Sequence, residues 1–336
     1  MGSRGPRDLH PCPHSYHPHE PQTGGSPERD FPGLRSGSAR RTIGHASGDF
    51  RSQRSARGRG VVNLRLFASE ELKIALRSRW TQIFAAVFSV LACGVASAGY
   101  VLSGGHGVQD FARTSASLVY LVVLIVPLVS LMLGVLSLSL ERGAAEVVFA
   151  LPVSRWTILS GRLLGLFSAL ALAQFFGFGL AGLLVYRQSG PKGIGDFVIV
   201  LCASLVATAI FLALAALLSA DAFGRRRTRA LALALVTWLV CEVFIDLGAL
   251  GLASVLSSGA ASRVLILASL VNPIGALRTG SLLLVEGTGA FGAASLALLR
   301  FTHGPAGAAA CITLSLVTWI AVPALWARRR LERADI

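Results

Sequence analysis

The sequence has no GxxxxGK(S/T) loop to cradle the phosphates of a nucleotide, so the chain cannot itself be a P-loop ATPase. HExxH, GxSxG and CxxC are also absent, which leaves no signature of a self-contained hydrolase or of a paired-cysteine metal site. Methionine is nearly missing. Met1 and Met132 are the only two, so no Met-rich path for a soft metal runs through the chain. Cys12 lies in a polar tail, and Cys93, Cys202, Cys241 and Cys311 lie in apolar runs, where a thiol reads as small packing volume. With no paired spacing, the cysteines do not reveal the redox compartment. Charge is scarce, at 14% of residues against 53% hydrophobic.

What fills the chain instead is long apolar segments. Six of them, at 81–103, 116–140, 163–186, 197–219, 230–256 and 306–326, are long enough to cross a bilayer, which takes roughly 20 residues. The expected fold class is therefore all-α, a polytopic membrane protein of about six transmembrane helices. That narrows function to transport, signalling, anchoring or intramembrane chemistry. The first apolar run begins near Thr81, so the first span is expected to act as the insertion signal and to be retained. The net charge of +14 does not point to nucleic acid, because the basic residues sit in loops and termini around lipid-soluble segments.

Residues 1–60 carry ten arginines and five acids among Gly, Pro, Ser and His, with no apolar periodicity. Such a segment buries too little surface to offset its ordering entropy and reads as a disordered tail. His10, Cys12, His14, His17 and His19 could bind a soft metal or be accidental composition, the second being favoured. Another reading puts the native start near Val61-Val62, where composition changes abruptly. Residues 61–336 are expected to form the transmembrane domain.

Between the tail and the first span, Leu64, Phe67, Ala68, Leu72, Ala75 and Leu76 share one helical face, with Lys73, Arg77 and Trp80 on the other side. Glu71 and Arg79 intrude on the apolar arc. An amphipathic helix in the membrane interface is expected, with an extension of the first span as the alternative.

The basic residues divide into two sets. Arg65/Lys73/Arg77/Arg79, Arg142/Arg155/Arg162, Arg225/Arg226/Arg227/Arg229 and Arg328/Arg329/Arg330/Arg333 fall on one side. Arg113, Arg187/Lys192 and Arg263/Arg278/Arg300 fall on the other. The first set is the larger, which places it and both termini in the cytoplasm of a cell whose inner membrane holds the protein. Residues 263–286 do not read as a simple span. Asn272-Pro273 interrupts them, and a pair of short re-entrant or interfacial helices on the outer side is expected.

Two places could carry function. On the Arg-rich side, 140–165 reads LERGAAEVVFALPVSRWTILSGRLLG. A short helix over 143–150 would end ahead of Pro152, and the chain would re-enter the membrane across 155–162. Such a helix at the surface could dock a soluble partner, or be an ordinary loop. In the fifth span, Glu242 and Asp246 are four residues apart and share a helix face. Glu242 lies roughly 20 Å in from the Arg225–Arg229 cluster at 1.5 Å per residue. A charged side chain there costs at least about 2.5 kcal/mol on insertion scales, so the pair reads as a transport route or as helix-to-helix hydrogen bonding, with Gln174 at similar depth. Gly161/Gly165 and Gly177/Gly179/Gly182 read as packing faces.

The order of ELKIALRSRW before span one, LERG after span two, PVSR, GRLLG, Gly177-Phe178-Gly179 and the late Asn272-Pro273 resembles the ABC-2 type permeases of ABC transporters. Among these it is most similar to the NosY-type permeases, which are linked to maturation of the copper site of nitrous-oxide reductase. The likeness spans about 64–330. One departure is Gly143-Ala144, where relatives often carry Gly-Thr after an acid. The resemblance implies a permease homodimer on two copies of a separate ATPase subunit. Glu141, Arg142, Gly143, Glu146, Pro152 and Arg155 would couple to that ATPase, and Gln174, Glu242 and Asp246 would mark the transport path. It implies an exporter, not an enzyme, with no cofactor of its own. Two other functions compete: an autonomous secondary transporter using Glu242/Asp246, and a non-transporting membrane assembly factor. Against the first, no inverted repeat or paired broken helices are visible. Copper is disfavoured as substrate; a sulfur species, a lipid or another apolar molecule stays open.

Overall fold

A computed structural model describes residues 64–102, 109–139, 153–189, 194–220, 227–286 and 298–333. The described residues are helical throughout the membrane-length segments and contain no strand. We number the helices α1 (64–77), α2 (Arg79–Leu102), α3 (Gln109–Leu138), α4 (Arg155–Ser189), α5 (Ile194–Ala220), α6 (Arg227–Leu239), α7 (Ile245–Val255), α8 (Ser258–Val271), α9 (Pro273–Glu286) and α10 (Pro305–Arg333). A π-helical turn, Val240–Phe244, joins α6 to α7.

Among the described residues, six helical segments are long and apolar enough to span a membrane: Arg79–Ala98, Thr114–Leu138, Arg155–Arg187, Ile194–Ala220, Thr228–Val255 and Pro305–Arg333. They fall on the six runs read from the sequence. The largest difference is at α4, which starts at Arg155 rather than near 163. Ser154 explains the early start, because its Oγ accepts a hydrogen bond of 3.2 Å from the Thr157 N–H and so caps the helix.

The centre of the bundle is α3 and α5, which pack most extensively on each other. Of their spanning windows 56% is buried, against 17% for α6–α7 and α10. The sequence of α5 is apolar on every side, as a central helix requires, while the outer spans turn Leu, Val and Phe outward as lipid-facing helices do. Pro127 sits inside α3 without ending it, as prolines do where neighbouring helices support the backbone. Aromatic rings stitch three helices together. Phe88 of α2 meets Phe178 of α4 edge-on at 5.2 Å, and Phe178 meets Phe197 of α5 edge-on at 6.0 Å.

α1 is separate from the first span. The break falls at Ser78, and the Gln82 amide side chain donates to the Leu76 carbonyl at 3.2 Å across it. α8 and α9 form one apolar hairpin bent by 98° at Asn272. Pro273 cannot donate an amide hydrogen to continue α8, and it is well placed as the first residue of α9. The bend is in contact with mid-span residues. Asn272 bonds to the Cys241 carbonyl, and the Trp319 indole donates to the Val271 carbonyl at 3.0 Å. Cys241 and Trp319 each lie near the middle of their own spans, so the bend reaches the depth of the bundle centre.

Candidate functional site

Helix ends gather at the Arg-rich end of the bundle. Leu138 of α3, Leu159 of α4, Ala216 and Ala220 of α5, and Ala327 and Leu331 of α10 form one buried cluster there. Arg155 Nη1 donates to the Leu331 carbonyl at 3.1 Å, and Arg328 stacks over the Trp156 ring at 5.7 Å. Of the coupling residues read from the sequence, Arg155 is in this cluster's rim. Glu141, Arg142, Gly143, Glu146 and Pro152 lie outside the described residues, as does the His-rich tract of the tail.

The described residues on either side of 140–152 are held by α1. Glu71 of α1 is 5% exposed. Its Oε2 accepts a hydrogen bond of 3.0 Å from Arg162 Nε of α4, and its Oε1 accepts one from Ser137 Oγ of α3. Arg162 Nη2 donates in turn to the Ser137 carbonyl at 2.8 Å. The three residues therefore close a ring of charge-assisted hydrogen bonds joining three helices. Close packing makes the ring possible. A Cβ on Gly161 would stand 2.6 Å from Phe67 Cβ, and one on Gly165 would stand 2.5 Å from the Ala68 carbonyl and 2.7 Å from Glu71 Cβ. The two glycines on one face of α4 thus seat the backbone of α1, as small residues do at helix contacts.

The second constellation lies at the π turn. Asn272 is fully buried. Its Nδ2 donates to the Cys241 carbonyl at 2.7 Å and to Asp246 Oδ1 at 3.3 Å, and its Oδ1 accepts from the Ile274 N–H at 3.1 Å. One side chain thereby closes the α8–α9 bend, opens α9 and ties both to the π turn. Asp246 is also paired with Arg278 of α9 at 2.5 Å. Glu242 sits within the π turn, half-buried, and its Oε2 is enclosed with no hydrogen-bond partner among the described residues. π turns are enriched at functional sites.

The structure therefore brings Asp246 together with Asn272 and Arg278, next to Glu242 on the same helix. Gln174 belongs to a different contact. Its Nε2 donates to Thr208 at 2.7 Å and its Oε1 accepts from Ser204 at 2.6 Å, all three buried between α4 and α5. Gly177 lets the Phe88 ring approach α4, since a Cβ there would stand 2.7 Å from that ring, whereas Gly179 has open space around it. Among the described residues no group of three or more His, Cys, Asp and Glu side chains could hold a metal ion. Sequence reasoning did not find the Glu71–Arg162–Ser137 ring or the Asn272–Asp246–Arg278 pairing. The one available signal for the first was the acid intruding on the apolar face of α1.

Comparison with known proteins places the chain in context. The family model described as ABC-2 family transporter protein matches residues 66–336. A probable ABC transporter permease protein NosY of Stutzerimonas stutzeri is 32% identical over 275 residues, covering 79% of this chain and 97% of that protein. The protein of the same description in Pseudomonas aeruginosa is 32% identical over 274 residues, covering 80% of this chain and 94% of that protein.

Proposed function

This chain belongs to the ABC-2 transporter family, as a multi-pass permease-type membrane subunit, and from that premise we propose that it couples ATP hydrolysis on a separate ATPase subunit to export of a substrate. The working unit is a permease homodimer on two ATPase copies in the inner membrane, with both termini cytoplasmic. The chain itself hydrolyses nothing; the catalytic chemistry belongs to the partner.

The observation that carries this reading is the family match over 66–336, together with relatives described as ABC transporter permeases along nearly their whole length. The gathering of helix ends and arginines at one end of the bundle supports an ATPase-facing surface there. Glu141, Arg142, Gly143, Glu146, Pro152 and Arg155 form the proposed coupling segment. The cluster at the π turn supports Glu242 and Asp246 as the polar part of the transport path, because ionisable groups within spans are costly to place and usually functional. Gln174, the third residue expected on that path, instead has its side chain taken up by Ser204 and Thr208 between α4 and α5 and stands apart from the cluster.

Charge reversal of Glu146 and Arg155 together tests the coupling surface. The expected result is loss of ATPase copurification beyond any loss of folded permease, which thermal unfolding reads because Arg155 also donates to the Leu331 carbonyl. Undiminished copurification would remove the coupling assignment.

A further inference from the structure

The half of the bundle away from the arginine-rich helix ends carries a groove that neither proposed site uses. It runs between α4 and α5 and holds about 370 Å³. Phe178, Val185 and Phe197 make its floor, and all three are buried. The edge-on contacts of Phe178 with Phe88 and with Phe197 fix that floor in place. Leu183, Tyr186 and Val198 make the rim and are exposed. Gly179 and Gly182 supply the space. A Cβ on Gly179 would meet no atom within 4 Å, and one on Gly182 would rest 3.5 Å from the Phe197 ring. Side chains would fit at both positions, so close helix contact does not require these glycines. What they leave is an open channel.

The chemistry of the channel narrows its occupant. Every lining side chain except Tyr186 is wholly apolar, which excludes a polar solute. Phe175 and Tyr186, the deepest and shallowest lining residues of α4, are eleven residues apart, about 16 Å along the helix. That is close to one leaflet's share of a hydrocarbon core about 30 Å thick. The shallow end carries what a headgroup needs. Tyr186 stands at the end of the spanning segment, and tyrosines favour the headgroup level. Arg187 closes that segment, one turn beyond Leu183 on the same side of α4. It is exposed and has no ion pair among the described residues. Asp196, the acid in the first turn of α5, falls on the other side of that helix from Ile194, Phe197 and Val198, so the groove wall holds no acid.

We propose that this groove binds a glycerophospholipid of the leaflet at that end of the bundle. One acyl chain lies between α4 and α5, and the lipid phosphate accepts hydrogen bonds from Arg187. A planar guanidinium suits a phosphate, and a long side chain at the end of a span reaches the headgroup level. The inference needs only that the spans sit in a bilayer. It does not rest on the coupling segment or on the transport path.

The test uses the full chain purified in mild detergent. Phosphatidylglycerol and the diacylglycerol of the same chains are added as probes, and bound lipid is counted by native mass spectrometry. Gly179→Leu fills the groove and leaves Arg187 in place. Arg187→Gln removes the phosphate partner and leaves the groove open. Gly94→Leu, on α2 at another position where a Cβ meets no atom within 4 Å, controls for added bulk on an exposed helix face. The expected result is one saturable phosphatidylglycerol site per protomer in the wild type and in Gly94→Leu, and none in Gly179→Leu. Arg187→Gln should weaken phosphatidylglycerol about tenfold, the size of one charge-assisted hydrogen bond, and leave diacylglycerol unchanged. Wild-type binding in Gly179→Leu would overturn the proposal, as would phosphatidylglycerol that binds Arg187→Gln as it binds the wild type. A change of oligomer mass in Gly179→Leu with its lipid count unchanged would overturn it in favour of a second copy of the chain covering the groove. Should thermal unfolding show that Gly179→Leu does not fold, Arg187→Gln, at an exposed position, decides alone through the ratio of the two probes.

Discussion

Glu71 and Arg162, 91 residues apart in sequence, meet at 3.0 Å across the contact between α1 and α4. The pair is mostly withdrawn from solvent, with side-chain exposures of 6% and 18%. Its acid stands on the apolar face of an amphipathic helix, where a carboxylate is tolerated only because Arg162 and Ser137 satisfy both oxygens.

Removing one partner leaves the other charge buried and unpaired. Glu71→Ala is expected to destabilise the purified permease by about 3–5 kcal/mol, the usual cost of breaking a buried pair from one side. Replacing Glu71 and Arg162 together with apolar residues of similar volume should recover most of that loss. Thermal unfolding in detergent of the two single variants and the double variant measures it. Additive losses in the double variant would show that the two residues are not coupled.

Asn272 carries three hydrogen bonds at the bend between α8 and α9. Asn272→Ala strands the Cys241 carbonyl and the Ile274 N–H in a buried place, and each stranded group costs about 1–3 kcal/mol. The expected outcome is lower thermal stability and faster hydrogen exchange confined to 240–246 and 268–278. Asn272→Asp is expected to be worse than an isosteric change should be, because it sets a second acid beside Asp246. Unchanged exchange in both segments would show that the side chain does not hold the bend.

Much of the fold was legible in the sequence, for a physical reason. Hydropathy is a one-dimensional property, and each span satisfies its own backbone, so the six runs could be read one at a time. The α8–α9 break was legible for the same reason, since Pro273 acts on its own neighbours. The start of α4 was legible in part: re-entry across 155–162 was expected, with the apolar run itself starting at 163, but the Leu331 carbonyl and Glu71 that receive Arg155 and Arg162 were not. The pairings of Asp246 with Arg278 and with Asn272 span 32 and 26 residues and depend on how helices pack, which no local pattern encodes. Glu71 was visible only as a blemish on an amphipathic face. The π turn at Val240–Phe244 has no signature of its own in the sequence.

Glu242 separates a transport role from a packing role. Its Oε2 has no hydrogen-bond partner among the described residues, so that oxygen ties no helix to another. Glu242→Gln should leave thermal unfolding nearly unchanged and alter ATP hydrolysis by the assembled complex when substrate is present. Wild-type stimulation in this variant, measured beside its thermal stability, would sink the functional reading of Glu242.

The tail should be dispensable. The family match begins at residue 66, and residues 1–60 have no pattern that could pack. Deleting 1–60 is expected to leave membrane insertion, ATPase retention and hydrolysis unchanged. Loss of the complex on truncation would give the tail a role.

Native purification of the full chain in mild detergent, followed by mass measurement of the intact complex and identification of every subunit, addresses the central claim most directly. The expected result is an assembly of two permeases with two copies of one ATP-binding subunit. A permease that purifies alone, or with partners that bind no nucleotide, would contradict it.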